Sequence, residues 1–217
     1  MNILLARLWS ENKGTALFIG LMLIFRSALA DWNSVPTESM KPTIVEGDRI
    51  FVEKMAYDLR VPFTLVSLHK RADPAPGEIV VFDSAASDLR LVKRLIGVPG
   101  DVVELRDDKL TINGHPALYS NRVDGDGYYT VKETIGSSSH TIRVQPSKYN
   151  PRRAFGPVLV PEGKYLVLGD NRDNSADSRY IGFVPRGEFV GRSGSVVLSF
   201  DPDHYYLPRA GRYFQKL

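Results

Sequence analysis

The sequence predicts a mainly β protein, with two antiparallel β-sheet regions preceded by an amino-terminal membrane-anchoring helix. The helix is predicted by one apolar run, ALFIGLMLIF at residues 16 to 25. The sheets are predicted by short β-branched and aromatic runs that alternate with Gly, Pro and Asp from residue 43 onward. No later stretch of ten or more residues carries strong helical periodicity.

At 217 residues, 43% hydrophobic and 24% charged, the chain is long enough for one substantial core or two small ones and is not a disordered segment. A net charge of +3 and a pI near 9.0 suit an anionic surface, but Lys and Arg are spread along the chain, so nucleic acid is not an expected partner. The absence of Cys excludes disulfides, a thiol nucleophile and thiolate metal ligands. His69, His115, His140 and His204 have none of the short spacings that place two ligands on one face, so neither a metal nor a cofactor is expected.

With Thr15 before it and Arg26 to Ala30 after it, the apolar region is about 16 residues, just under the ~17 to 25 of a membrane span. Three readings compete: a cleaved signal peptide, a buried core helix and an uncleaved anchor. The signal peptide draws on Arg7 and Lys13 as a basic leader and on the small-x-small pattern Ala28-Leu29-Ala30. Arg26 lies two residues before that pattern and counts against it, whereas an arginine near the end of an anchor reaches the headgroups. The anchor is therefore preferred. Arg7 and Lys13 outweigh Glu11, which leaves the amino terminus in the cytoplasm and the rest of the chain outside. The expected division is a cytoplasmic terminus (1–13), a transmembrane anchor (14–30), a main β domain (31–106 and 161–217) and an inserted β subdomain (107–160).

Within the β region the strand candidates are DRIFVEKMAY, GEIVVFD, LRLVKRLIGV, DVVEL, KLTING, HTIRV, KYLVLGD and SGSVVLSF. Pairs such as Pro99-Gly100, Asn113-Gly114 and Gly169-Asp170 supply turns. Residues 58 to 76 read as an exposed loop, and 120 to 160 are richer in polar residues, as in an inserted, variable unit.

Three segments can carry chemistry. In VPTESMKPTI (35–44), Pro36 and Pro42 stiffen the backbone around Ser39, which suits either a turn serine or a held nucleophile. In LRLVKRLIGV, strand alternation puts Lys93 on the face of Leu89, Leu91 and Leu95. Burial there would lower its pKa toward that of a general base; the alternative is a lysine snorkelling from a sheet edge. In GDNRDNSADSRY (169–180), Asp170, Arg172, Asp173, Asp177 and Arg179 surround Ser175. A solvated loop is one reading. A calcium loop fails, because Ser178 and Val184 stand where Gly and Glu are needed. Acids and arginines that pair with each other would instead fix the loop and leave Ser175 free to hydrogen-bond. No G-x-S-x-G elbow, P-loop or G-x-G-x-x-G occurs; a Ser-His-Asp triad assembled in space stays open, with lysine the simpler base.

Together these segments resemble the bacterial type I signal peptidases, membrane-bound Ser-Lys endopeptidases that remove signal peptides from exported proteins. VPTESMKPTI resembles the family's nucleophile box, GDRIFVEKMAY the strand that follows, GEIVVFD with LVKRLIGVPGD the lysine box, and GDNRDNSADSRYIGFVP the last box. The likeness covers roughly 35 to 57, 77 to 105 and 163 to 193, and implies that the main β domain is catalytic. It implies Ser39 as nucleophile, Lys93 as general base, Thr37 with the Ser39 N–H as oxyanion hole, and Ser175 as the hydroxyl orienting the lysine. Asp177 and Arg179 match a supporting ion pair. Val35, Met40, Val92 and Ala176 match the lining of shallow pockets for small residues at an A-x-A site. Implied partners are exported preproteins and membrane lipid. The implied form is a single-pass, cofactor-free monomer in the plasma (inner) membrane, with its catalytic domain on the outer, periplasmic side.

Three positions depart from the family pattern: Glu38 replaces a common Gly, Thr37 a Ser, and Leu91 an aromatic residue. The rivals are a specialised Ser-Lys peptidase of the conjugation-pilin kind, a self-cleaving repressor and a non-catalytic membrane-tethered β domain. The complete GDNRDNSADSR box argues against the first, and the apolar amino terminus against the second.

Overall fold

A computed structural model describes the backbone of residues 3–64, 66–146 and 152–217, with side chains from residue 12 onward. Helix α1 (Ile3–Ala28) passes into strand β1 (Ala30–Ser34) with only Leu29 between them. Among the described residues, no helix is long and apolar enough to cross a membrane. β1 pairs antiparallel with β2 (Asp48–Glu53), where DRIFVE alternates: Ile50 and Val52 are buried, while Arg49 and Phe51 face outward.

The segment expected as an exposed loop contains a short hairpin, β3 (Asp58–Arg60) with β4 (Ser67–Lys70). Its cause lies far away in sequence: Asp58 is buried and bonded to Arg186 at 2.9 Å, which ties the hairpin to the main body. A second hairpin joins β5 (Ile79–Ser84) to β6 (Leu89–Gly97). There follow β7 (Val102–Arg106), β8 (Lys109–Ile112), β9 (His115–Pro116), β10 (Leu118–Asp124), β11 (Tyr129–Ile135), β12 (Ser138–Val144) and β13 (Phe155–Leu159). β14 (Lys164–Leu168), helix α2 (Ser178–Ile181), β15 (Val184–Pro185) and the long β16 (Phe189–Asp201) complete the core, and β17 (Leu207–Pro208) and β18 (Gln215–Lys216) add to β16.

The fold is mainly β, but its strands form more than two groups. The main sheet runs β1-β2-β16-β5-β6-β14-β15; β13-β7-β8-β9 and β10-β11-β12 are separate sheets, and β3-β4 stands apart. The division expected at 106/107 falls inside a sheet, because β7 pairs with both β8 and β13. Asp107 and Asp108, both at positive φ, make a tight two-residue hairpin turn at the point read as a boundary.

β5 explains how polar groups come to be buried in this sheet. Its IVVF run packs Ile79 and Val81 into one core with Val35, Met40, Ile44, Ile50 and Val196. Val80 and Phe82 enter a second core with Leu95, Val167 and Phe189 on the other face. A sheet covered on both faces shields whatever the neighbouring strand carries, and β6 carries Lys93 and Arg94.

Candidate active site

Ser39 sits on the turn between β1 and β2. Two bonds shape the turn, Lys41 N–H to the Glu38 carbonyl at 3.0 Å and Ile44 N–H to the Met40 carbonyl at 3.0 Å. Met40 and Ile44 are fully buried beneath it, so apolar side chains on either side of the stiffened segment anchor the serine. Opposite stands Lys93, at the middle of β6 and only 2% exposed. Its Nζ donates to Ser39 Oγ at 2.7 Å and to the Val92 carbonyl at 3.0 Å. Burial pushes the Lys93 pKa down to about 8; Asp177 and Asp170 oppose that shift and Arg179 adds to it.

Thr37 Oγ1 lies 3.4 Å from Ser39 Oγ. The unexpected neighbour Glu38 turns its carboxylate to Lys41 at 2.6 Å, so its charge is offset locally. Val35, Met40, Leu91 and Val92 line a cleft of about 530 Å³ that opens on Ser39 and Lys93, with Trp32 at its side. Ala176 is exposed and does not belong to that lining.

The polar loop after β14 is not solvated. Asp170, Asn171, Arg172, Asp173, Ser175 and Asp177 are all buried. Asp177 bonds Arg179 at 2.8 Å and accepts the Gly169 N–H at 2.9 Å. Burial works against this carboxylate, but Arg179 and the Gly169 N–H outweigh it and hold its pKa below the ordinary value. The other charges pair outside the loop, contrary to the expectation of internal pairing. Asp170 takes Arg94 of β6 through two bonds at 2.8 and 2.7 Å and the Thr43 hydroxyl at 2.5 Å. Arg172 pairs with Glu133 of β11, and Asp173 with Arg153 at 2.9 Å.

Ser175 is brought near the site but not onto the lysine. Its Oγ makes no hydrogen bond to Lys93; its neighbours are Gly169 and the Asp177 carboxylate. A Cβ on Gly169 would run into both Ser175 and the Ser39 carbonyl. Gly169→Ala is therefore expected to cost about 1–3 kcal/mol through overpacking and to lower kcat as Ser39 shifts. Denaturant melts and steady-state kinetics check this; wild-type values in both would contradict the packing described.

Arg94, Glu133 and Thr43 were not singled out by sequence reasoning. Arg94 had a usable signal, a second cation beside Lys93 inside a strand otherwise rich in apolar residues, so that both faces of one strand carried charge. Glu133 in VKETI had none.

A hydroxyl bonded to a desolvated amine, in an apolar-walled cleft of a β-sheet, is the equipment of a serine hydrolase that works without histidine. A family model described as signal peptidase, peptidase S26, matches residues 9–198. The chain belongs to that family and is a serine endopeptidase. It is similar to signal peptidase I of Pseudomonas aeruginosa, with 35% identity over 88% of this chain and 73% of that protein. It is also similar to signal peptidase I of Rickettsia akari, with 38% identity over 85% of this chain and 77% of that one. A signal peptidase I structure from Enterococcus faecalis V583 aligns with 35% identity over 56% of this chain and 97% of its own, at a TM-score of 0.37.

Proposed function

We propose that the chain is a signal peptidase I that cuts exported preproteins after A-x-A sites through Ser39 and Lys93. The observation that carries the catalytic assignment is the 2.7 Å bond between Lys93 Nζ and Ser39 Oγ inside the cleft. In this reading neutral Lys93 takes the Ser39 proton as Oγ attacks the scissile carbonyl, and Thr37 with the Ser39 N–H stabilises the oxyanion. The lysine ammonium then protonates the leaving amine. Water, deprotonated by the same lysine, attacks the acyl-enzyme, and the lysine ammonium returns that proton to Ser39 Oγ as the new carboxyl terminus is released. Ser175 is our candidate for receiving the amine when Ser39 Oγ is acylated, and the Asp177–Arg179 pair keeps that loop in shape. Val35, Met40 and Val92 serve the small side chains of the substrate; Ala176, outside the cleft lining, stands as a contact only for a longer substrate.

The anchor reading of residues 14–30 is supported by the exposure of Leu17, Phe18, Ile19, Leu21 and Leu23, which no other described residue covers. With the amino terminus cytoplasmic, the catalytic body acts as a monomer on the outer side of the plasma membrane, against lipid. The catalytic body is built on the main sheet, and the sheets β13-β7-β8-β9 and β10-β11-β12 form the insertion. Incubating the detergent-solubilised chain with an exported preprotein is the direct test. A single cut after A-x-A supports the reading, and an intact preprotein with a folded enzyme refutes it.

The pH profile follows from the lysine. The reactive form is the neutral amine, whose fraction falls tenfold per pH unit below its pKa of about 8. Accordingly kcat/KM should rise through pH 8 and be down ~100-fold at pH 6 relative to its plateau. A profile flat from pH 6 to 9 would remove Lys93 as the base.

A further inference from the structure

Asn171 is almost fully buried and has no part in the roles above. Its side-chain Nδ2 donates to the Glu38 carbonyl at 3.1 Å, and its backbone N–H donates to the Ser39 carbonyl at 3.0 Å. A carbonyl only accepts, so the end of the amide that faces Glu38 is its nitrogen. The same Glu38 oxygen accepts the Lys41 N–H, which occupies its second lone pair.

The Glu38 carbonyl and the Ser39 N–H belong to one planar trans peptide unit, so they point in opposite directions and neither turns without the other. No acceptor among the described residues takes the Ser39 N–H, which leaves it free to meet a developing oxyanion. We propose that Asn171 is a positioning residue: by gripping the Glu38 carbonyl, it aims the Ser39 N–H into the oxyanion hole. The inference rests on Ser39 being the nucleophile. The backbone bond from Asn171 to the Ser39 carbonyl holds the next peptide unit, so the serine is fixed on both sides.

The loop does not depend on the amide side chain for its own place. Arg143 N–H bonds the Asp170 carbonyl at 2.8 Å, and Arg172 N–H bonds the Arg143 carbonyl at 2.9 Å, which straps the backbone around Asn171 to β12. Truncating the side chain thus removes one grip and leaves the rest.

The test uses the full chain in detergent and three readouts: preprotein kinetics, affinity for an A-x-A peptide aldehyde, and affinity for the same peptide with a reduced, carbonyl-free scissile bond. The aldehyde carbonyl is attacked by Ser39 Oγ and its oxygen enters the hole; the reduced peptide offers no such oxygen. Asn171→Ala should lower kcat about 10- to 100-fold, less than the ~10² to 10³ lost when an oxyanion donor is removed outright because here the donor is only misaimed, with KM and reduced-peptide affinity within twofold of wild type. Aldehyde affinity should fall by a factor similar to kcat. Asn171→Asp, the same shape with an oxygen facing the carbonyl, should lose more, and it carries the test if the alanine variant does not fold. Unchanged kcat, or equal losses for aldehyde and reduced peptide, would overturn the proposal. Ser39→Ala run in parallel separates the two levels: cleavage surviving there defeats the nucleophile, whatever Asn171 does.

Discussion

Ser39→Ala and Lys93→Ala should each lower kcat by about 10⁴-fold or more if they are the nucleophile and base proposed above, because such a pair acts as a unit and losing either loses the step. Lys93→Arg gives no recovery: a guanidinium stays charged at any working pH and cannot take the serine proton. The informative variant is Lys93→Met, which keeps the shape without the amine. Unfolded, this lysine holds its proton up to about its ordinary 10.5, whereas in the fold it does so only to about 8. The unfolded state therefore binds more protons, so the native state gains stability as pH rises from 8 to 10.5 and carries the full penalty below 8. Lys93→Met should be inactive yet more stable at pH 7, by up to ~3 kcal/mol. Preprotein cleavage and urea melts across pH measure both effects. An inactive variant that is also less stable would mean that Lys93 holds the cleft together rather than working in it.

The second large effect is structural. Arg172 and Glu133 are both at most 1% exposed and pair across the junction between the loop after β14 and β11. Tyr119 adds its hydroxyl to the same carboxylate at 2.7 Å. Burial works against the Glu133 carboxylate, but the facing Arg172, with His140, holds it down to about 2. Arg172→Met leaves that carboxylate buried without its counter-ion and should cost about 3–5 kcal/mol. Adding Glu133→Leu removes the stranded charge and should restore most of the loss. The double-mutant cycle in denaturant melts decides: additive losses from the two single substitutions would show that the pair is not coupled.

How far the sequence reached depended on whether the cause was local. Alternation in DRIFVE and the apolar IVVF of β5 reported strands that bury one face and both faces respectively. Among the missed strands, β1 and β10 are short on apolar residues: ADWNS and SNRVD derive their strand state from pairing with neighbours rather than from a periodic apolar face. Pro36 and Pro42 told of a stiff turn, and the leucines at 89, 91 and 95 allowed a shielded lysine, but those residues alone fitted a turn serine and an edge lysine as well; the roles proposed for Ser39 and Lys93 came from the family resemblance. The charges of 169 to 180 were readable as an ion-pair scaffold, but their partners at 94, 133 and 153 come from other elements, and only the folded chain brings them in. Ser175 marks the opposite case. The family resemblance implied a bond to the lysine, whereas the turn seats its Oγ against Gly169 and Asp177.

The junction at Leu29 has a mechanical meaning. Its N–H closes the last turn of α1 on the Phe25 carbonyl, and its own carbonyl accepts the Lys54 N–H, beside the β1–β2 ladder. Lys54 Nζ caps the Arg26 carbonyl at 2.8 Å, and Ser27 Oγ takes the Phe63 N–H at 2.5 Å. Rod and blade are welded with no hinge between them. Under the anchor reading proposed above, with α1 in a bilayer, the cleft of Ser39 and Lys93 would ride at one set height and act as a gauge: the length of a preprotein's segment beyond the membrane would select the bond as much as the small residues do.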